Sequence, residues 1–213
     1  MSKHYAAIAF TDAVQEVQRN YGSNTFYDRK RIAGAASSEA DVLTDAEAEF
    51  LTDRDGFFLA TVSETGWPYV QFRGGPPGFV HVLDERTIGW ADFRGNLQYI
   101  STGNLGGDGR VAIIAVDYAR RTRIKLFGHA RMVALEEDPE LVASLGHPDY
   151  DAEVQRAVIV TVDAFDWNCP QHITPRYSVA ELEPMLADVR QRLAELEAEN
   201  TVLKGKLAEA SLA

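Results

Sequence analysis

Gln71-Phe72-Arg73-Gly74-Gly75-Pro76-Pro77-Gly78-Phe79 and, after a short apolar stretch, Asp92-Phe93-Arg94-Gly95-Asn96-Leu97-Gln98-Tyr99 are the two segments on which the fold turns. Each sits at the end of a β-prone run. Gly74 and Gly75 permit unusual dihedral angles or close backbone approach, and Arg94, Gly95 and Asn96 stand where a strand feeds the start of a helix. Free N–H groups at such a start, joined by a guanidinium, make an anion site in outline. On spacing alone a second reading stands beside it, with Gly-Gly-Pro-Pro-Gly a plain loop and Arg94 a solvated surface charge.

Outward from these segments, short β-prone runs alternate with turns rich in Gly, Pro and Asp, the pattern of an antiparallel barrel. Strands are expected over 57–62, 68–72, 79–83, 87–91, 111–117, 123–133 and 154–162, with turns at Ser63-Glu64-Thr65-Gly66 and Asp84-Glu85-Arg86. Short helices are expected over 96–101 and 139–145. On the N-terminal side, Ala13, Val14, Val17 and Tyr21 follow helical spacing up to Gly22. Ala33-Gly34-Ala35-Ala36-Ser37-Ser38 reads as an exposed connection. Thr44 and Glu47 have the spacing of a capping box ahead of Phe50 and Leu51. The expected division is a helical extension over 1–43, a barrel domain over 44–177 and a C-terminal helix over 178–213.

That last helix is the most periodic part of the chain. Leu186, Leu193, Asn200 and Leu207 fall at heptad position a, and Leu182, Val189, Leu196 and Leu203 at d. In this register Arg192 faces Glu197 of a partner helix and Glu199 faces Lys204, both opposite-sign pairs. A polar Asn200 at a favours a parallel two-stranded pairing, so a coiled coil reinforcing a homodimer is expected. An amphipathic helix packed on its own barrel is the other reading of the same pattern.

Composition bounds the partners. A chain of 213 residues with net charge -11 and no long basic run is a poor fit to nucleic acid or an anionic membrane. A phosphate-bearing small molecule needs only a few N–H groups and one or two guanidiniums. The sequence has no long apolar span and no secretory pattern at its start, and its single cysteine, Cys169, allows no intrachain disulfide, so a cytoplasmic location is expected. His4, His81, His129, His147 and His172 are scattered, which gives no metal-ligand motif and no placed haem ligand. No dinucleotide or Walker-type fingerprint is present.

A second crowded segment is Asp166-Trp167-Asn168-Cys169-Pro170-Gln171-His172-Ile173-Thr174-Pro175-Arg176-Tyr177. Trp167 reads equally as a core aromatic or as a ring-stacking residue. His172 has no acid partner evident in the sequence, and Cys169 reads as a nucleophile or as a small buried residue beside Pro170.

Taken together, Val70-Gln71-Phe72-Arg73-Gly74-Gly75-Pro76, Asp92-Phe93-Arg94-Gly95-Asn96, Gly103-Asn104-Leu105 and Arg123-Ile124-Lys125-Leu126-Phe127-Gly128-His129-Ala130 resemble, in order and spacing, the pyridoxamine 5′-phosphate oxidase-like superfamily of FMN-binding proteins. The resemblance implies a mainly β fold with peripheral helices, a six-stranded antiparallel split barrel, a homodimer and FMN bound at the subunit interface. It places Gln71, Phe72, Arg73 and Gly74 along the ring and ribityl chain, and Asp92, Arg94, Gly95, Asn96 and Gln98 at or near the phosphate. Lys125 is a further cation for that phosphate, and Trp167, Gln171 and His172 reach the flavin from the segment after the last strand. The implied activity is an FMN-dependent oxidoreductase acting on a small molecule. A deazaflavin-dependent reductase of the same fold, or a non-catalytic flavin-binding module with a coiled-coil partner surface, are the rival expectations. The superfamily's true oxidases carry an Arg-x-His element near the C-terminus and an Arg-Lys pair where this chain has Gly95-Asn96. Neither is found here, which points away from vitamin B6 oxidation.

Overall fold

The computed structural model describes residues 3–28 and 40–210. The expected connection around Ala33 and Ser38 lies outside them. The strands are β1 (Gly56–Val62), β2 (Pro68–Gly74), β3 (His81–Asp84), β4 (Thr87–Phe93), β5 (Arg110–Asp117), β6 (Thr122–Ala134) and β7 (Val154–Asn168). The helices are α1 (Lys3–Ala9), α2 (Asp12–Asn20), α3 (Asp45–Thr52), α4 (Ile100–Gly107), α5 (Pro139–Ser144) and α6 (Val179–Ala210).

Hydrogen bonds join the strands into one antiparallel sheet in the order β2-β1-β5-β6-β7-β4-β3. Among the described residues the sheet has seven strands, not the six the resemblance implies, because His81–Asp84 folds back on β4 as a short edge hairpin. Side-chain contacts show how the sheet curls. Phe57 of β1 meets Trp90 of β4 edge to face at 4.9 Å between ring centroids. In a flat sheet the intervening strands would hold these residues about 19 Å apart at the usual strand spacing. The sheet therefore bends round an interior filled by Phe57, Leu59, Phe79, Trp90, Ile124 and Val160. Its two edge strands, β2 and β3, do not pair with each other, so the barrel stays split.

Alternation assigns the two faces. Phe57, Leu59 and Thr61 of β1 point inward, and the register pairs them with Arg73, Gln71 and Tyr69 of β2. Phe58 and Ala60 point outward, opposite Phe72 and Val70. β4 is buried on both faces because α5 covers its outer side, where Ala91, Val142, Leu145 and Ala157 form a second small core. Gly128 sits at a bulge between β6 and β7, where a Cβ would lie 2.5 Å from the Thr161 carbonyl oxygen.

Among the expected boundaries that move, three have a clear physical cause. The helix expected over 96–101 begins only at Ile100, since Leu97 and Tyr99 hold positive φ angles of 62° and 51° and break any earlier helical turn. The strand expected over 154–162 continues to Asn168 against β6. The strand expected from residue 79 starts at His81, because Phe79 first closes a turn by donating its N–H to Pro76.

The chain separates into two units, one of residues 118–120 and 174 onward and the other holding the rest. The N-terminal segment belongs with the barrel. Tyr5 of α1 is buried and stacks on Phe127 of β6 at 5.0 Å, so the region read from sequence as an extension packs directly on the sheet. In the other unit, α6 stands with nearly every side chain exposed.

The capping box at α3 also reaches the last strand. Glu47 is buried, accepts from the Thr44 N–H at 3.0 Å, and takes a 2.6 Å hydrogen bond from the Trp167 indole through its other oxygen. Burial pushes the Glu47 carboxyl up, but these hydrogen bonds outweigh it and hold the group below its ordinary value of 4.5. A depressed folded-state pKa means the stabilisation is present above the unfolded pKa and fades as pH falls through the folded one. Glu47→Ala is expected to lower stability by about 1.5–3 kcal/mol at pH 7. Urea unfolding at pH 7 and pH 3 should show the wild-type advantage shrink at the acid pH, and an unchanged gap would contradict the assignment.

Candidate functional site

Where the barrel is split, β2 and β4 approach each other across a gap that no hydrogen-bonded ladder spans. The Arg73 guanidinium of β2 crosses it and donates to Asp92 of β4 at 2.9 Å. These strands are five positions apart in the sheet order, about 24 Å along a flat sheet, so the ion pair is a direct consequence of the curl. Arg156, at the start of β7, lies 3.5 Å from the other Asp92 oxygen. Two guanidiniums thus share one largely buried carboxylate. The Nε of Arg73 is buried without a hydrogen-bond partner, whereas the buried Nε of Arg156 makes the ion contact with Asp92.

Above this pair opens a cleft of about 190 Å³, lined by Gln71 and Arg73, by Asp92 and Phe93, by the loop from Gly95 to Tyr99, by the first turn of α4 and by Gln155. The loop carries strain, since Leu97 and Tyr99 are non-glycine residues in the left-handed region. The strain is held in place by contacts to the Tyr99 ring. Gln155 donates to its hydroxyl at 3.3 Å, and the Arg156 guanidinium lies 5.2 Å from its centroid. Tyr99 makes no side-chain cap for the first N–H groups of α4, and Ile100, Ser101 and Thr102 of that first turn line the cleft. Ser101 donates its hydroxyl to the Gln71 carbonyl oxygen at 3.2 Å, which fixes that amide and leaves its NH₂ group for the cleft.

Gln71, Arg73, Asp92, Gly95, Asn96 and Gln98 are brought together here. The other expected site residues lie elsewhere. Phe72 is on the outer face, its ring over Gly74 and Gly56. Arg94 is turned away into an exposed ion pair with Glu153 at 2.8 Å, and that pair raises its pKa. Lys125 is on the outer face, 3.5 Å from Asp166 and 4.6 Å from the Tyr5 ring centroid. Trp167 is engaged by Glu47 and by Phe50, edge to face at 4.8 Å. Gln171 and His172 are exposed on the turn after β7, with His172 at φ 64°. Cys169 is exposed rather than buried.

Tyr99, Ser101, Thr102, Gln155 and Arg156 are among the lining or supporting residues that escaped the sequence reading. The first three were hidden by placing the helix start too early. Gln155 and Arg156 belong to no motif, and only the pairing of β7 with β4 brings them to the site. Their one visible signal is that two polar residues interrupt the apolar run of 154–162.

The family model for pyridoxamine 5′-phosphate oxidase matches residues 43–166, more than half of the chain, and spans both β2 and β4 with the loop between cleft and α4. The chain belongs to the pyridoxamine 5′-phosphate oxidase family. No curated protein matches it. Distant likenesses among solved structures include HupZ of Group A Streptococcus, 17% identical over 63% of this chain and 100% of that one, with a TM-score of 0.48. General Stress Protein 26 of Bacillus anthracis is 12% identical over 55% of this chain and 87% of that one, TM-score 0.43. An FMN-binding protein of Syntrophomonas wolfei is 14% identical over 58% and 85% respectively, TM-score 0.41. Among the described residues of this family member, no group of His, Cys, Asp and Glu is placed to hold a metal, and no helix is long and apolar enough to cross a membrane.

Removing Asp92 would leave both guanidiniums without their shared counter-charge in a largely buried place. Asp92→Ala is expected to cost about 3 kcal/mol or more, whereas Arg94→Ala, which breaks only an exposed pair, should leave stability unchanged. Urea unfolding of the two variants checks the contrast, and equal midpoints would contradict the bridging role of Asp92.

Proposed function

We propose that the cleft binds FMN, that a second copy of the chain completes the site, and that the protein is an FMN-dependent oxidoreductase acting on a small molecule. The observation that carries this reading is the charge arrangement at the split. Arg73 and Arg156 share the single carboxylate of Asp92, which leaves one positive charge in excess beside the open N-terminus of α4, in a chain whose net charge is -11. That combination suits a phosphate-bearing ligand and repels little of it. The buried Nε of Arg73, which has no hydrogen-bond partner, fits a polar ligand as well.

In this reading the N–H groups of the α4 first turn, with Gly95, Asn96 and Gln98, hold the phosphate. Arg94 joins them by leaving Glu153, an exposed pair whose loss costs little. The Gln71 amide and the Arg73 guanidinium face the polar edge of the ring. A fixed cation there favours the reduced, more electron-rich ring, while Asp92 keeps that cation in position. Hydride and electron transfer would come from the bound flavin itself.

Size supports a second copy. A cleft of about 190 Å³ falls below the roughly 300–1,000 Å³ usual for sites that enclose a ligand of this kind. The outer sheet face supplies a surface for association, since Phe58, Val70 and Phe72 are exposed and adjacent, Phe58 and Phe72 meeting edge to face at 5.5 Å. Gln171 and His172, exposed on the turn after β7, are the residues we assign to the neighbouring copy's flavin.

Titration with FMN and with riboflavin, which lacks the phosphate, tests the placement. Thr102→Asp puts a carboxylate in the first turn of α4, where it favours the helix but repels a phosphate. FMN affinity is expected to fall about tenfold or more, and riboflavin affinity by about twofold or less. Parallel losses for both ligands would move the phosphate elsewhere. Pyridoxamine 5′-phosphate is expected not to reduce the bound flavin under anaerobic conditions, and rapid bleaching of the flavin by that compound would overturn the exclusion of vitamin B6 oxidation.

A further inference from the structure

A helix of 32 residues, Val179–Ala210, projects its side chains into solvent along its whole length, and among its described residues Leu182 alone is better than marginally covered. Leu193, Leu196 and Leu203 are 56%, 45% and 56% exposed. An isolated helix gains little from its own hydrogen bonds and owes most of its stability to an apolar face packed on something else. The apolar face here is ordered by heptads. Pro184 stands inside the helix and removes one N–H from the ladder, so the uninterrupted seam runs from Leu186 to Leu207: Leu186, Leu193, Asn200 and Leu207 at a, with Val189, Leu196 and Leu203 at d between them.

We infer that α6 pairs with α6 of a second copy as a parallel, in-register, two-stranded coiled coil. Two features select this occupant. Asn200 lies at a, and only a parallel in-register pair sets it against a second Asn200. Any antiparallel pairing faces a positions with d positions, all of which are Leu or Val here, and would leave the amide against hydrocarbon. The flanking charges agree. Arg192 at g meets Glu197 at the partner's e position, and Glu199 at g meets Lys204 at e, so both interhelical pairs are of opposite sign in a homotypic pair. Arg192 bonds Glu195 at 3.0 Å, an exposed contact one turn away, while among the described residues of the chain no ion pair engages Glu197, Glu199 or Lys204. Parallel pairing is two-fold and closes at two copies. The inference stands whether or not the barrel binds FMN.

Cysteine cross-linking of the full chain tests it, in a Cys169→Ser background because Cys169 is exposed. Leu193→Cys at position a is expected to give a covalent dimer under mild oxidation, and Ala198→Cys, on the outward f position, is not. A mixture of Leu186→Cys and Leu207→Cys chains is expected to cross-link each variant to itself and not to the other. Equal cross-linking of Leu193→Cys and Ala198→Cys would overturn the paired seam. Preferential joining of position 186 to position 207 would overturn the parallel orientation. As a second measurement that keeps the apolar seam intact, the double substitution Glu197→Lys with Glu199→Lys should weaken dimerisation in low salt by about tenfold relative to its loss in high salt, and a salt-independent change would count against the g-to-e pairing.

Discussion

The ion pair of Arg73 and Asp92 is the interaction on which the rest of the molecule depends. The sheet curls far enough to bring β2 and β4 together, yet no backbone ladder joins them. A ladder would have sealed the barrel and filled the gap with backbone. A side-chain bridge holds the edges at a fixed separation and leaves space above it. The cleft exists because closure is made by side chains and not by strand pairing. The same pair sets the cleft's electrostatics, for Arg156 approaches the same carboxylate and leaves the local balance positive within an acidic chain.

One edge strand serves two surfaces at once. β2 turns Gln71 and Arg73 into the cleft and Val70 and Phe72 outward, with a period of two that its pairing to β1 enforces. A slip of one residue would exchange the two sets, putting phenylalanine in the cleft and a guanidinium on the apolar outer face. Register along β1–β2 therefore fixes one wall of the cleft and the apolar outer face at the same time. The tight turn at Ser63–Trp67 sets it, where Gly66 has φ of +83° and the Ser63 N–H donates to the Trp67 carbonyl at 3.0 Å.

Much of this was legible in residue order. Alternation located the strands, the Thr44 and Glu47 spacing located α3, and the two glycine-bearing motifs located both walls of the cleft. What stayed hidden shares a physical reason: it depends on where the chain goes in three dimensions. Arg94 sits inside the motif but bonds Glu153, a residue 59 positions away that becomes its neighbour only when β7 pairs with β4. Trp167, read as a ring-stacking or core aromatic, is captured by the buried carboxylate of Glu47, since β7 runs six residues further than its apolar core suggested. The α4 start was misplaced because left-handed geometry at Leu97 and Tyr99 has no glycine to announce it.

The central claim is that the cleft at the split is a flavin site. An absorbance spectrum of the purified full-length protein, with mass identification of whatever denaturation releases, tests it most directly. The two-banded visible absorption of an oxidised flavin, with FMN released in about one equivalent per chain, is the expected result. A colourless protein that also fails to bind added FMN would contradict it.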